Sequence, residues 1–341
     1  MNIDKLVIRK ESLEKLFDVL KQNSKTVYAP VTRNGKISYR ATDRFSEIMT
    51  GFVQTTQSSK EVAFPRVEKI LDYTKNKEGI SVKGTDLSIF PEIILWGVRP
   101  CDAMGISELD AIFNWDYKDE IYNTRQSRVT VLGFSCNKSD EYCFCTSAGG
   151  GPGNTDGSDI LLTRLGENGD FLAEVMTDKG SAIISLAADL FEKAGQVNKE
   201  QFLAEVPERF NRDEIRAKLE KSFESEQWIE QSLKCLGCGA CAYVCPTCAC
   251  FDIQDESHGK YGSRFRCWDS CGFSLFTLHT SGHNPREVQS QRWRQRIMHK
   301  FSYMPDRLSV YGCTGCGRCS RACPADMNIL EHLISIQEAV V

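Results

Sequence analysis

The spacing of apolar residues predicts alternating helices and strands over the first two-thirds of the chain. Residues 12–22 carry apolar side chains at helical spacing and therefore predict a packing helix with Ser12 as its N-cap. Residues 26–31 and 36–41 predict two strands joined by a hairpin turn at Asn34-Gly35. The residues that give the helix its apolar face are Leu13, Leu16, Phe17 and Leu20.

Two continuous apolar runs, at 92–98 and 129–134, predict strands buried on both faces. A helical pattern follows the first of them, from Ala103 to Phe113, and this alternation indicates a mixed α/β core. Further along, residues 159–165 and 171–176 predict a hairpin across Gly166-Glu-Asn-Gly169. Helices are expected at 181–194 and 213–228, and the charged second one marks the expected junction with a following domain.

Composition narrows the class of protein. The chain has 341 residues, enough for two domains, and its net charge of -4 argues against a nucleic-acid-binding protein. The first ten residues are too charged for a secretory signal, and no apolar run approaches the length of a membrane span, so a cytoplasmic protein is expected. In that reducing compartment, 16 cysteines indicate metal or redox chemistry and not structural disulfides.

The most informative feature is a cysteine motif that occurs twice. The residues from Cys235 to Pro246 and from Cys313 to Pro324 both follow the spacing C-x2-C-x2-C-x3-C-P, which is typical of bacterial ferredoxins and predicts two 4Fe-4S clusters. In this pattern the fourth cysteine of each motif binds the other cluster. The expected ligand sets are Cys235, Cys238, Cys241 with Cys323, and Cys313, Cys316, Cys319 with Cys245.

The spacing has a physical reason. Glycines between the cysteines, such as Gly237 and Gly315, permit positive φ and let the backbone fold closely around a cluster. Zinc knuckles also use C-x2-C pairs, but a tetrahedral zinc site does not need a third cysteine two residues further on. The repeated motif therefore favours clusters over zinc.

A second set of cysteines follows the two buried strands. Cys101 comes directly after the first strand, and Cys136, Cys143 and Cys145 come after the second. Because sites in α/β sheets usually form at strand ends, these four thiols predict a third 4Fe-4S cluster. Zinc binding and simple burial of small apolar side chains remain alternatives. The glycine-rich segment 149–157 lacks a phosphate-loop pattern and is predicted to be a loop over this site.

A long insertion, residues 247–312, separates the two ferredoxin motifs. It contains four further cysteines, which could form another metal set or pack near the clusters. It also contains a cationic segment between Pro285 and Met304, for which a solvated helix is the commoner outcome. The alternative is that its cations offset cluster charge and dock an acidic partner. The cysteines are Cys248, Cys250, Cys267 and Cys271, and the cations are Arg286, Arg292, Arg294, Arg296, His299 and Lys300.

Taken together, these motifs resemble one family, which comprises the iron-sulfur subunits of anaerobic sulfite reductases and the beta subunits of cytosolic NiFe hydrogenases, the sulfhydrogenases. The resemblance covers nearly the whole chain and implies that the third cysteine set belongs to the family pattern, whereas Cys267 departs from it. The segments that carry it are Arg99-Pro-Cys-Asp102, Cys136, Cys143-Phe-Cys145, Cys245-Pro-Thr-Cys248-Ala-Cys250-Phe251, Trp268-Asp-Ser-Cys271, Gly282-His-Asn-Pro-Arg286, His299-Lys-Phe301 and the final ferredoxin motif.

The resemblance implies an electron-transfer subunit of a cytoplasmic redox complex that operates anaerobically. Its partners would be a flavoprotein subunit that binds FAD and NAD(P)H and a catalytic subunit of the hydrogenase, sulfite reductase or heterodisulfide reductase type. The sequence is consistent with this role because it lacks a dinucleotide-binding fingerprint and a nucleophile or acid-base constellation. Arg99-Pro-Cys-Asp102 favours the hydrogenase branch by resemblance.

Two other functions are also compatible with the cysteine pattern. The first is a catalytic subunit in which the four insertion cysteines bind a sulfur compound or a disulfide. The second is a zinc-bound scaffold without redox activity. The expected architecture is a mixed α/β (α+β) N-terminal domain, residues 1–228, followed by a helical two-cluster ferredoxin-like domain, residues 229–341, with its insertion at 247–312.

Overall fold

The computed structural model describes residues 4–23, 25–166 and 169–339. The strands are β1 (Asp4–Ile8), β2 (Thr26–Arg33), β3 (Lys36–Ala41), β4 (Val67–Asn76), β5 (Gly79–Gly84), β6 (Ile93–Val98), β7 (Val129–Phe134), β8 (Ile160–Arg164), β9 (Phe171–Val175), β10 (Phe191–Lys193), β11 (Phe251–His258) and β12 (Tyr261–Trp268). The helices are α1 (Ser12–Gln22), α2 (Pro100–Phe113), α3 (Glu120–Ser127), α4 (Asp178–Leu186), α5 (Arg212–Lys221), α6 (Gln227–Ser232), α7 (Ala240–Tyr243), α8 (Gln289–Met298), α9 (Met304–Leu308), α10 (Arg318–Arg321) and α11 (Ile329–Glu338). Together they confirm a mixed α/β protein with a helical C-terminal part.

An eight-stranded sheet forms the centre of the N-terminal part, in the order β10-β1-β9-β8-β7-β6-β2-β3. Its four central strands, β8, β7, β6 and β2, run parallel, whereas the outer pairs are antiparallel. All six residues of β6 are buried, as expected for a parallel strand covered on both faces. The hairpin between β2 and β3 turns at Asn34 and Gly35, which both have positive φ, as the Asn-Gly pair predicts.

Helix α1 packs one face of this sheet. The four apolar residues predicted to form its inner face are all buried in the main core, together with Trp96 of β6 and Phe171 of β9. Ser12 is not the N-cap, because the helix begins at Ser12 itself and Glu11 occupies the cap position without a side-chain hydrogen bond. The apolar stripe therefore located the helix correctly, while the choice of cap was wrong by one residue.

A second sheet unites distant parts of the sequence, in the order β11-β12-β4-β5. The insertion supplies β11 and β12, and β12 pairs antiparallel with β4, with an irregularity between Arg264 and Phe265. Behind this pairing, Arg266 forms buried ion pairs with Glu68 of β4 and with Asp119. The insertion is thus built into a sheet with the N-terminal part, and the division of the chain at residue 228 stays a prediction.

Two predicted helices differ from the structure. The segment 181–194 contains only the end of α4, then a short 3-10 turn and the edge strand β10, which pairs with β1. The segment 213–228 is divided between α5 and α6. The hairpin of β8 and β9 is present, but the turn residues Glu167 and Asn168 lie outside the described residues.

The glycine-rich segment 149–157 contains no helix or strand, as predicted, and it leads from the third cysteine set to β8. None of the helices in the described ranges is both long and apolar enough to cross a membrane.

Candidate iron-sulfur centres

Each ferredoxin motif folds into the same short structure. A loop carries three cysteines, a glycine with positive φ caps a four-residue helix (Gly239 before α7, Gly317 before α10), and a Cys-Pro pair follows. Gly237 and Gly315 also have positive φ, so each loop bends twice at glycine. The two motifs pack together through α7 and α10. This pseudo-symmetric pair places the fourth cysteine of each motif beside the loop of the other.

The first cavity lies between the first motif and the end of the second, and it is lined by the cysteines expected to hold one cluster: Cys235, Cys238, Cys241 and Cys323. Cys271 and Cys319 reach its wall as well. The side chain of Gln289 donates a hydrogen bond from Nε2 to Cys235 Sγ over 3.0 Å. The first ligand set expected from the sequence, Cys235, Cys238, Cys241 and Cys323, thus lines a single cavity.

A second cavity is lined by Cys245, Cys313, Cys316 and Cys319. Cys245 comes from the first motif and the other three from the second, as the exchange of fourth cysteines predicts. Lys300 Nζ lies 3.4 Å from Cys245 Sγ, and Thr247 Oγ1 lies 3.2 Å from the same sulfur. A hydrogen bond from Cys248 and the charge of Lys300 lower the pKa of the Cys245 thiol well below its usual value.

The third cysteine set also surrounds one cavity, at the carboxyl ends of β6 and β7. Cys101 lies in the first turn of α2, which begins earlier than predicted, and Cys136 follows β7. Gly151 and Pro152 of the glycine-rich loop line this cavity, in agreement with a loop over the site. The cysteines at this cavity are Cys101, Cys136, Cys143 and Cys145.

The side chains of Gln54 and Arg321, which lie far from these cysteines in the sequence, contact two thiols of the third set. Gln54 donates from Nε2 to Cys101 Sγ over 3.2 Å, and Arg321 Nη2 lies 3.6 Å from Cys143 Sγ while it pairs with Asp140. Burial raises the pKa of the Cys145 thiol to about 12, with the neighbouring cysteines adding to the shift. Burial also raises the pKa values of the other three half-buried thiols, so all four need a strong Lewis acid to become thiolates, which metal ligation supplies.

The third set is in direct backbone contact with the second motif. The Phe144 N–H donates to the Gly315 carbonyl oxygen over 3.0 Å, and a Cβ placed on Gly315 would lie only 2.5 Å from the Cys145 backbone nitrogen. Cys316 lines both the second and the third cavity, and Cys319 lines both the first and the second. The three cysteine cavities therefore form a series with the second one in the middle.

The insertion cysteines do not all come together. Cys248, Cys250 and Cys271 line a fourth cavity, whereas Cys267 projects from β12 away from it. Hydrogen bonding from Cys250 lowers the pKa of the Cys271 thiol to about 6, helped by the charges of Arg296 and Lys300. The four-cysteine arrangement considered as an alternative is therefore corrected to three, because alternation along β12 turns Cys267 to the face opposite Trp268.

Two of the six cations of the cationic segment are buried at the sites. Arg296 and Lys300 are only 4% and 3% exposed, which contradicts a fully solvated helix. Arg296 lines the first, second and fourth cavities, with Nη1 3.6 Å from Cys248 Sγ. Although burial opposes it, the nearby Cys245 and Cys248 raise the pKa of Lys300. Both residues therefore remain cationic beside the thiols.

Two further buried cations were not singled out from the sequence. Lys60 donates to the carbonyl oxygens of Ala242 and Cys248, over 3.1 and 2.8 Å. Arg318 lies inside the second motif and pairs with Asp102 of α2. Arg318 occupies a position between two motif cysteines that the motif leaves unspecified, and Lys60 is an isolated lysine in the sequence. Neither position is a specific signal of a buried cation.

The cysteine sets are spread around cavities, and no three His, Cys, Asp or Glu side chains in the described ranges converge tightly enough to hold a single metal ion. A cluster needs such a spread of thiolates, because four irons and their bridging sulfides lie between the sulfur ligands. The donor sets are all cysteine, which suits a 4Fe-4S cluster.

Comparison with known proteins agrees with this geometry. Residues 234–327 match the 4Fe-4S dicluster domain family, so this part of the chain is a dicluster domain with two 4Fe-4S clusters, and the protein is an iron-sulfur electron-transfer protein. Over 342 residues the chain is 29% identical to sulfhydrogenase 2 subunit beta of Pyrococcus furiosus, a similarity that covers 98% of each chain. The two findings confirm the resemblance that the motifs indicated. No solved structure matches the chain.

Proposed function

We propose that this protein is the iron-sulfur subunit of a cytoplasmic redox complex and that it relays electrons between a flavoprotein subunit that binds FAD and NAD(P)H and a catalytic subunit. The full-length similarity to a sulfhydrogenase subunit favours a hydrogenase-type catalytic partner over a sulfite reductase or heterodisulfide reductase partner. A 4Fe-4S cluster supplies reversible one-electron transfer. The chain contributes the ligands, the order of the clusters and the surrounding charge.

The proposed ligands follow the three cavities. Cys235, Cys238, Cys241 and Cys323 hold the first cluster, and Cys313, Cys316, Cys319 and Cys245 hold the second. The third set, Cys101, Cys136, Cys143 and Cys145, holds a third 4Fe-4S cluster. The shared walls at Cys319 and Cys316 are the observation that carries the proposal, because a series of adjoining redox sites is what a relay requires.

Buried positive charge supports the same function. Thiolate-ligated clusters are anionic, and a buried anion is stable only with nearby compensation. Arg296 lines both of the first two cavities, and Arg318 lies beside Cys316 of the second cavity and Cys101 of the third. Each junction in the series therefore has a cation that stabilises negative charge on either side.

Iron, acid-labile sulfide and zinc should be measured on anaerobically purified protein, with electron paramagnetic resonance after reduction. We expect about 12 irons per chain or more, and about four fewer in Cys143→Ser and in Cys145→Ser, with the signals of the dicluster domain retained. A parent protein with about 8 irons and no loss in these variants would remove the third cluster from the relay. About one zinc lost in place of iron would assign the third set to zinc.

The partners need a separate test. An anaerobic pull-down with the intact chain should recover a flavoprotein together with a metal-containing catalytic subunit. NAD(P)H should then reduce the clusters only when the flavoprotein is present. Recovery of no flavoprotein, or direct reduction of the isolated chain by NAD(P)H, would contradict the proposed division of labour.

A further inference from the structure

The fourth cavity has features that the three-cluster relay leaves unexplained. Its volume is about 130 Å³, and three thiols open into it. We propose that Cys248, Cys250 and Cys271 hold a fourth 4Fe-4S cluster and that His299 ligates its remaining iron. This inference goes beyond the proposed relay, which needs only the first three cysteine sets.

The insertion hairpin assembles the three thiols. Phe251 and Trp268 are paired in register at its base, and the Asp269 N–H donates to the Cys250 carbonyl oxygen over 2.9 Å. Cys250 and Cys271 therefore meet just beyond the paired strands, and Cys248 lies two residues further back on the same side. A hairpin that closes a cluster site explains why a long insertion separates the two motifs.

Unbalanced positive charge surrounds this cavity. Arg296 and Lys300 line it, and Lys60 donates to the carbonyl oxygen of Cys248 at its wall. All three are at most 4% exposed, and none forms an ion pair with a carboxylate within the described ranges. A buried cation without a counterion is costly, so the cavity favours an anionic occupant.

An unpaired hydrogen-bond donor at Arg296 also favours an anionic occupant of this cavity. The Nε–H of Arg296 is buried and has no hydrogen-bond partner in the described part of the chain. Buried N–H groups are nearly always paired, and the sulfides of a cluster accept N–H hydrogen bonds. A lone zinc ion would offer no such acceptor and would not fill a space of this size.

His299 completes the ligand set. It lines the fourth cavity and also the wall of an open groove of about 550 Å³, so its exposed side chain lies at the boundary between the thiol site and the groove. The segment His299–Tyr303 is a π-helical turn that continues α8, a local distortion that is frequent at functional sites. An imidazole here matches Cys/His ligation, which is known for iron-sulfur centres and alters their potential.

The test counts irons in cysteine variants of the full chain. Anaerobically purified protein should contain about 16 irons, and Cys271→Ala and Cys250→Ala should each contain about four fewer irons and sulfides, with the dicluster signals retained. Cys267→Ala is the matched control and should lose none, because Cys267 lies outside the cavity. About 12 irons in the parent with no loss in either variant would overturn the fourth cluster and leave the relay intact, whereas fewer than about 8 would overturn the relay itself.

His299→Ala provides a second measurement that does not depend on removal of a thiol. The variant should keep its iron but shift the g values and the reduction potential of one cluster, while His283→Ala, at an exposed histidine of the insertion that does not line the cavity, should change neither. A spectrum identical to that of the parent would overturn ligation by His299. Loss of about one zinc and no iron in Cys271→Ala would overturn the cluster altogether.

Discussion

Arg318 and Asp102 form a bidentate ion pair that is almost completely buried, with Arg318 Nη1 2.5 Å from Asp102 Oδ1. Arg318 belongs to the second ferredoxin motif, and Asp102 lies next to Cys101 in the first turn of α2. The guanidinium also donates to the carbonyl oxygen of Thr55 and to the side chain of Gln54, so all three of its nitrogens donate hydrogen bonds. This pair fixes the second motif against the third cysteine set.

Arg318→Ala should therefore destabilise the protein strongly. Removal of one partner leaves the Asp102 carboxylate buried without a counterion, which costs about 3–5 kcal/mol. Arg264→Ala is the matched control, because Arg264 and Asp255 form an exposed bidentate pair whose loss should change stability little. Anaerobic thermal unfolding compares the two variants, and equal shifts in Tm would contradict a special role for burial.

Gly315→Ala should disrupt the contact between the second motif and the third set. The added Cβ would lie 2.5 Å from the Cys145 backbone, in addition to the strain of a positive φ of 65°. Gly259 has nearly the same φ, 66°, but open space around it, so Gly259→Ala carries the backbone strain alone, about 1–3 kcal/mol. We expect Gly315→Ala to lower Tm further than Gly259→Ala and also to reduce the iron content, which Gly259→Ala should not change.

Lys300→Met should lower the reduction potential of the second cluster. The ammonium lies 3.4 Å from Cys245 Sγ and favours the reduced, more negative state of a cluster bound there. For an effective dielectric constant of about 20, the loss of one charge at this range corresponds to a shift on the order of 100 mV. Redox titration followed by electron paramagnetic resonance measures it. Lys69→Met removes an exposed lysine and should leave every potential unchanged.

Glu108→Gln should stabilise the protein at alkaline pH. Both carboxyl oxygens of Glu108 are buried without a hydrogen-bond partner in the described ranges, and burial raises the pKa of this group well above its usual value. The folded state thus binds a proton that the unfolded state releases above a pH of about 4.3, so stability falls as the pH rises from there towards the folded pKa. The slope in that window is about 1.4 kcal/mol per pH unit, and glutamine removes it.

The measurement is Tm of both proteins between pH 5 and pH 8 at one scan rate under anaerobic conditions. The advantage of Glu108→Gln should grow with pH. The exposed Glu14→Gln serves as the control and should show no such trend. An advantage that is constant with pH would mean that Glu108 is already ionised in the folded protein.

Local patterns in the sequence predicted most of the fold. The buried strands β6 and β7, the stripe of α1 and the Asn34-Gly35 turn were all located because each depends on residues close together in the chain. The segment 181–194 was assigned wrongly as one helix, because the pairing of Phe191 with Ile8 of β1 is a tertiary contact that outweighs local helical spacing.

For the candidate site, the sequence predicted how the motif cysteines are grouped but not which cations surround them. The twelve cysteines grouped by strand ends and motif spacing line three cavities in the same sets of four, since both signals have a direct geometric meaning, and their role as cluster ligands stays a prediction. Cys267 was grouped with the wrong partners because the strand that carries it was not recognised. Lys60 and Arg318 were missed, because a single buried cation leaves no pattern in a sequence and is defined only by what folds around it.

The pairing of β12 with β4 also sets an order of events during synthesis. Tyr261 of β12 lies opposite Thr74 of β4, so nearly two hundred residues must leave the ribosome before the second sheet can close. Until then one long edge of β4 is unpaired, and an unpaired edge can pair with another chain and cause aggregation. A nascent chain that stalls before the hairpin would hold the third cysteine set and an open sheet edge, but no dicluster domain. Maturation of this protein is therefore expected to need protection of that edge until the hairpin is made.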